Sequence, residues 1–154
     1  MKKLLLNIVF IFLMTQVTHA DEILINIVGV DEKQGYDGKP VCELKYDITN
    51  NSTGTIYYIS VNVDGWDDRD SKLDEVLNSS LDNGGGFGGR KPIAVGSTLN
   101  FQMDMGFKTA CKYMAKVKVT GIKPEYCNIR MLPENTSCEK IVKVTSSASN
   151  IRVE

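Results

Sequence analysis

Thr55-Ile56-Tyr57-Tyr58-Ile59-Ser60-Val61-Asn62-Val63-Asp64-Gly65-Trp66-Asp67-Asp68 is the stretch on which the fold turns. Its middle alternates. Tyr57, Ile59, Val61 and Val63 share one face; Tyr58, Ser60, Asn62 and Asp64 share the other. Side chains on a strand point to opposite faces with a period of two, so this pattern predicts a half-buried β-strand. β-branched and aromatic residues, which suit a pleated surface, dominate it. Asp64-Gly65 is a turn signal, and beyond it come the only tryptophan and a cluster of acids.

The same periodicity recurs on both sides. Ile23, Ile25 and Ile27 alternate in a first strand within residues 21–31, and a polar loop from Lys33 to Pro40 follows. In Val41–Thr49, Cys42, Leu44, Tyr46 and Ile48 face one way. Downstream, Leu99, Phe101, Met103 and Met105 define one apolar face. Cys111, Tyr113, Ala115, Val117 and Val119 define another, with Lys112, Lys116 and Lys118 opposite, toward water. Residues 121–137 read as a connection and Cys138–Thr145 as the last clear strand, which Ile151–Val153 extends after a serine-rich break. Residues 67–96 are the exception: acidic, glycine-rich, with room for one short edge strand and a helical turn at 73–77. Loops of that length in a compact domain are usually functional or disordered. Short strands joined by turn-rich loops, with no helix of normal length, predict an all-β immunoglobulin or fibronectin type III-like sandwich of about seven strands.

The first twenty residues stand outside that scheme. Lys2 and Lys3, the apolar run Leu4–Met14 and the site Thr18-His19-Ala20 read as a secretory signal peptide, leaving residues 21–154 as one domain. The apolar run is too short for a membrane span. Removing the leader takes two lysines and no acid, so sixteen basic residues face nineteen acidic ones. That balance argues against nucleic acid as a partner. The single histidine, His19, departs as well. A chain without imidazole lacks the commonest general base and metal ligand.

Cys42, Cys111, Cys127 and Cys138 all lie in the remaining domain, and an even count in an exported chain suggests two disulfides. Four cysteines allow three pairings. Cys42 and Cys111 each begin a strand in phase with its apolar face, and the second and sixth strands of such a sandwich start at the same end on opposite sheets. Pairing them would tie the sheets together and contribute roughly 2–4 kcal/mol. Cys127 with Cys138 would staple the loop before the last strand.

Other motifs resolve toward ordinary structure. Gly84-x-Gly86-x-x-Gly89 matches a dinucleotide fingerprint in spacing, but Arg90-Lys91-Pro92 follows where a helix would have to begin. Asp64, Asp67, Asp68 and Asp70 lack the spacing of a calcium loop and read as a solvated acidic turn. No carboxylate pair is placed across a cleft, so the expected function is non-enzymatic, without cofactor or metal. Trp66 is expected to pack at the sandwich edge. Tyr58 on the solvent side, Trp66 if exposed, and Phe87 among its glycines are the candidate partner contacts, because aromatics dominate binding hot spots.

Cys42-Glu-Leu-Lys-Tyr-Asp-Ile-Thr-Asn50, Ile56 to Asp67 and Gly96-Ser-Thr together resemble the IrmA family, small secreted bacterial interleukin receptor mimics. The resemblance implies a fibronectin type III-like sandwich able to form a strand-exchanged dimer. It also implies binding to host interleukins, and so a role in virulence. Ordinary fibronectin type III domains usually lack disulfides, a departure here. The alternative expectation is a periplasmic or surface accessory subunit that pairs with another bacterial protein through an edge strand. Peptide mapping without reduction is expected to yield Cys42–Cys111 and Cys127–Cys138; a Cys42–Cys127 peptide would rule this topology out.

Overall fold

The computed structural model describes residues 22–76, 80–84, 89–103, 106–129 and 138–154, the side chains of 123–126, 128, 138 and 139 excepted. The expected leader, Phe87 and Met105 lie outside the described residues, and so does the side chain of Cys138. Strands β1 (Ile23–Gln34), β2 (Pro40–Asn50), β3 (Ile56–Asp67), β4 (Ser80–Asp82) and β5 (Thr98–Gln102) come first. After a 3₁₀ turn at Cys111–Tyr113 follow β6 (Met114–Ile129), a one-turn helix α1 (Cys138–Ile141), β7 (Val142–Ser146) and β8 (Arg152–Val153). They form two mixed four-stranded sheets, β5-β2-β1-β7 and β4-β3-β6-β8.

Both sheets feed one apolar core. Ile23, Ile25 and Ile27 of β1, Cys42, Leu44, Tyr46 and Ile48 of β2, and Ile59, Val61 and Val63 of β3 are all buried in it. One polar tie crosses the core. The Tyr46 hydroxyl on β2 donates to the Asp82 carbonyl on β4 (2.8 Å) and accepts from the Asp82 N–H (2.9 Å). A phenol buried this deeply needs such partners.

The disulfide Cys42–Cys111, 69 residues apart in sequence, joins β2 to the turn that opens β6 and hence one sheet to the other. Beside it the chain makes a close crossing. Cys42 N–H donates to the Phe107 carbonyl and Phe107 N–H to the Cys42 carbonyl, both at 2.9 Å. On the far side, Val76 N–H donates to the Gly106 carbonyl (3.0 Å) and Lys108 N–H to that of Asp74 (2.7 Å). Glu75 forms a bridge with Phe107 through these bonds, so residues 73–76 are extended where a helical turn was expected, and Leu73 N–H donates to the Gly65 carbonyl (2.9 Å).

Five other expectations are corrected. Tyr57 does not face the core. A bulge between Ile56 and Tyr58 puts Ile56 inside and leaves Tyr57 38% exposed. In the stretch after Cys111 the 3₁₀ turn shifts the phase, so Met114 is buried while Tyr113 and Val119 are exposed and Lys116 is covered. Residues 121–129, expected as a connection, continue β6 against β3. Cys138–Ile141 is helical, and residues 152–153 do not extend β7 but cross to the other sheet and run parallel to β6. Among the described residues no helix is long and apolar enough to cross a membrane.

A Cβ added to Gly65 would lie 2.7 Å from the ring of Phe107, which is itself fully buried. Gly65→Ala is therefore expected to destabilise the oxidised protein by about 1–3 kcal/mol in urea unfolding, the cost of overpacking a filled site. An unchanged midpoint would contradict this packing.

Candidate partner-binding surface

With Ile59, Val61 and Val63 committed to the core, β3 turns Ser60, Asn62, Asp64 and Trp66 to the outer face of its sheet. β6 lies antiparallel beside it, with Lys116 opposite Trp66 and Lys118 opposite Asp64. Acids and bases that are far apart in sequence meet here. Lys72 Nζ lies 2.9 Å from Asp64 and 3.9 Å from Glu75. Lys116 binds Asp70 and lies 3.7 Å from Glu154, which also pairs with Lys118 at 3.6 Å. Glu154 is held by its backbone too: its N–H donates to the Val117 carbonyl (3.0 Å), and its carbonyl accepts from Val119 N–H (3.1 Å).

Trp66 is not a core residue. Its half-buried ring lies on this outer face under Lys118, whose ammonium sits 4.3 Å from the ring centroid. Its Nε1–H is buried without a hydrogen-bond partner. That costs stability, about 1–3 kcal/mol for a typical buried donor. Residues 68–70 form the exposed turn that the sequence suggested, and Asp67 and Asp70 are also engaged in it. One Asp67 carboxylate oxygen accepts from Arg69 N–H (2.9 Å) and Ser71 N–H (2.8 Å), which shapes the turn. Asp70, at a left-handed φ of 63°, reaches Lys116.

At the opposite end of β3, Tyr58 carries the Arg90 guanidinium 3.8 Å above its ring centroid. Arg90 belongs to a loop whose base is fixed by the buried Asn83. That side chain accepts from Ile59 N–H (3.1 Å) and donates to the carbonyls of Tyr57 and Lys91 (3.1 Å each). Ile93 closes the loop by exchanging backbone bonds with Ile56. The structure thus brings Tyr58 and Trp66 to one face, at its two ends, each beneath a cation. Such contacts are worth about 0.5–1 kcal/mol at exposed sites.

Lys116 and Arg90 could not be singled out from the sequence. Lys116 sits in a run of alternating lysines, and only the register against β3 sets it beneath Asp70 and Glu154. Arg90 gains its role from the placement of the 83–93 loop.

Comparison of the chain with protein-family models, with characterised proteins and with solved structures found no match.

The Lys116 pair carries a pH signature. The Lys116 hydrogen bond and charge hold the Asp70 carboxyl below its ordinary value, and Asp70 in turn raises the Lys116 ammonium above its own. The carboxylate's contribution is thus present above the ordinary carboxylate value and lost as pH falls through the lowered one. The ammonium's is present below the ordinary lysine value and lost as pH rises through the raised one. Asp70→Asn is expected to lower the urea midpoint at neutral pH, followed by Trp66 fluorescence, and to converge with the parent protein in acid. A gap that persists in acid would assign the effect elsewhere.

Proposed function

We propose that the protein is an exported, non-enzymatic binding module whose outer β4-β3-β6-β8 face, at the Tyr58–Arg90 end, contacts a protein partner, and that the partner is a host interleukin. The observation that carries the reading is Arg90 stacked over Tyr58 beside a loop anchored by Asn83. It puts an aromatic ring on a strand beneath a planar cation carried by the neighbouring loop, two groups enriched in binding hot spots. The strand order supports a fibronectin type III-like sandwich: β5-β2-β1 stands as that fold's E-B-A sheet and β4-β3-β6 as its C′-C-F. In this reading Cys127 pairs with Cys138, and two copies form a strand-exchanged dimer.

One observation favours a second reading, an accessory subunit that receives a strand from another bacterial protein. Among the described residues β8 pairs with β6 at Lys116 and Val117 alone, although β6 runs from Met114 to Ile129. Past Val119, which bonds Glu154, no described strand pairs with that edge of β6, the kind of edge that augmentation uses.

Surface plasmon resonance of the oxidised protein against a panel of host interleukins tests the first reading. Binding is expected, and Tyr58→Ala and Arg90→Ala should each weaken it roughly tenfold, as hot-spot truncations do. Silence across the panel, with capture of a partner from the producing cell, would favour the second.

A further inference from the structure

A cleft of about 320 Å³ lies at the other end of the molecule, bounded by the β1–β2 hairpin on one side and by Val76 and Gly106 on the other. Lys33, Tyr36, Val41 and Glu43 complete its walls. Glu43 forms the floor. It faces away from the core, yet its side chain is only 8% exposed. Lys33 Nζ, from the neighbouring strand, lies 2.6 Å from it, and Gln102 donates to the same carboxylate oxygen at 2.7 Å. Asp31 stands beside it, bonded to Gln102 (3.1 Å) and paired with Lys45 (3.4 Å).

The two partners of this ion pair are held unequally. Glu43 is enclosed, while the Lys33 side chain is 51% exposed and crosses the cleft mouth on a flexible stem. Moving Lys33 into water is a rotamer change. Leaving a buried carboxylate without a counter-charge costs several kcal/mol. Whatever displaces Lys33 must therefore bring a positive charge of its own. Val41 and Val76 supply apolar walls of the kind that cover the methylenes of a long basic side chain. Gln102 already occupies one side of the carboxylate, and a planar fork can reach its remaining lone pairs better than a point charge can. Tyr36, fully exposed at the hairpin tip, borders the opening where the rest of a polypeptide would pass.

We infer that this cleft is a binding site for an arginine side chain of a partner polypeptide, with Glu43 as its recognition group and Lys33 as a tethered occupant that the arginine displaces. The site is separate from the Tyr58–Arg90 surface, so either can fail without the other.

The test is an NMR titration of the oxidised protein with N-acetyl-arginine amide and, in parallel, with its neutral isostere N-acetyl-citrulline amide. The arginine probe is expected to shift the amides of Gly35, Val76 and Gly106 saturably, and the citrulline probe is not. Glu43→Gln should weaken binding roughly tenfold or more, the loss expected for a charge-assisted hydrogen bond. Lys33→Ala should strengthen it, because the internal competitor is gone; this arm still decides the matter if Glu43→Gln fails to fold. Absence of saturable shifts, equal response to both probes, or unchanged or weaker binding in Lys33→Ala would overturn the assignment.

Discussion

Cys42 is the residue on which the two sheets converge. Its sulfur is bonded to Cys111 at the mouth of β6, and its N–H and carbonyl are both bonded to Phe107. The Phe107 ring lies against Gly65 of β3, and a Cβ on Gly106 would collide with the Cys42 carbonyl. Two glycines thus allow the chain to cross where no side chain has room. The disulfide limits the unfolded chain. The crossing gives the folded chain one way to close this end of the core. The Glu43 cleft and the Lys116 cluster lie on elements that this knot fixes in place.

The sequence makes the interior far more legible than the surface. Ile23, Ile25, Ile27, Cys42, Leu44, Tyr46 and Ile48 are buried as their alternation predicts, because a half-buried strand writes its inner face directly as a period of two. The favoured pairing of Cys42 with Cys111 is formed, although Cys111 opens a 3₁₀ turn and not a strand. The pattern fails where pairing slips. Tyr57 leaves the core at a bulge, and Tyr113 leaves it because a 3₁₀ turn occupies the place of a strand start. Both depend on a partner strand that local periodicity does not encode.

The surface contacts depend on register more strongly still. Trp66 has a strand position that identifies its face, but not the Lys118 ammonium above it or the unpaired indole N–H beneath. Lys116 is one of several lysines on β6, and nothing in its neighbours marks it as the one that is buried. Glu43 alternates outward in β2 like Lys45 and Asp47. Its enclosure comes from Lys33, Gln102, Val76 and Gly106, brought together by three separate segments.

Asn83 has a consequence for how this chain can change over time. Its side chain takes over backbone groups from Tyr57, Ile59 and Lys91, so the two ends of the 84–91 loop are joined to the sheet whatever lies between them. Loop-closure entropy rises slowly with length, by about 0.6 kcal/mol per doubling. A change in the length of that segment would meet this clamp before it met the packed strands.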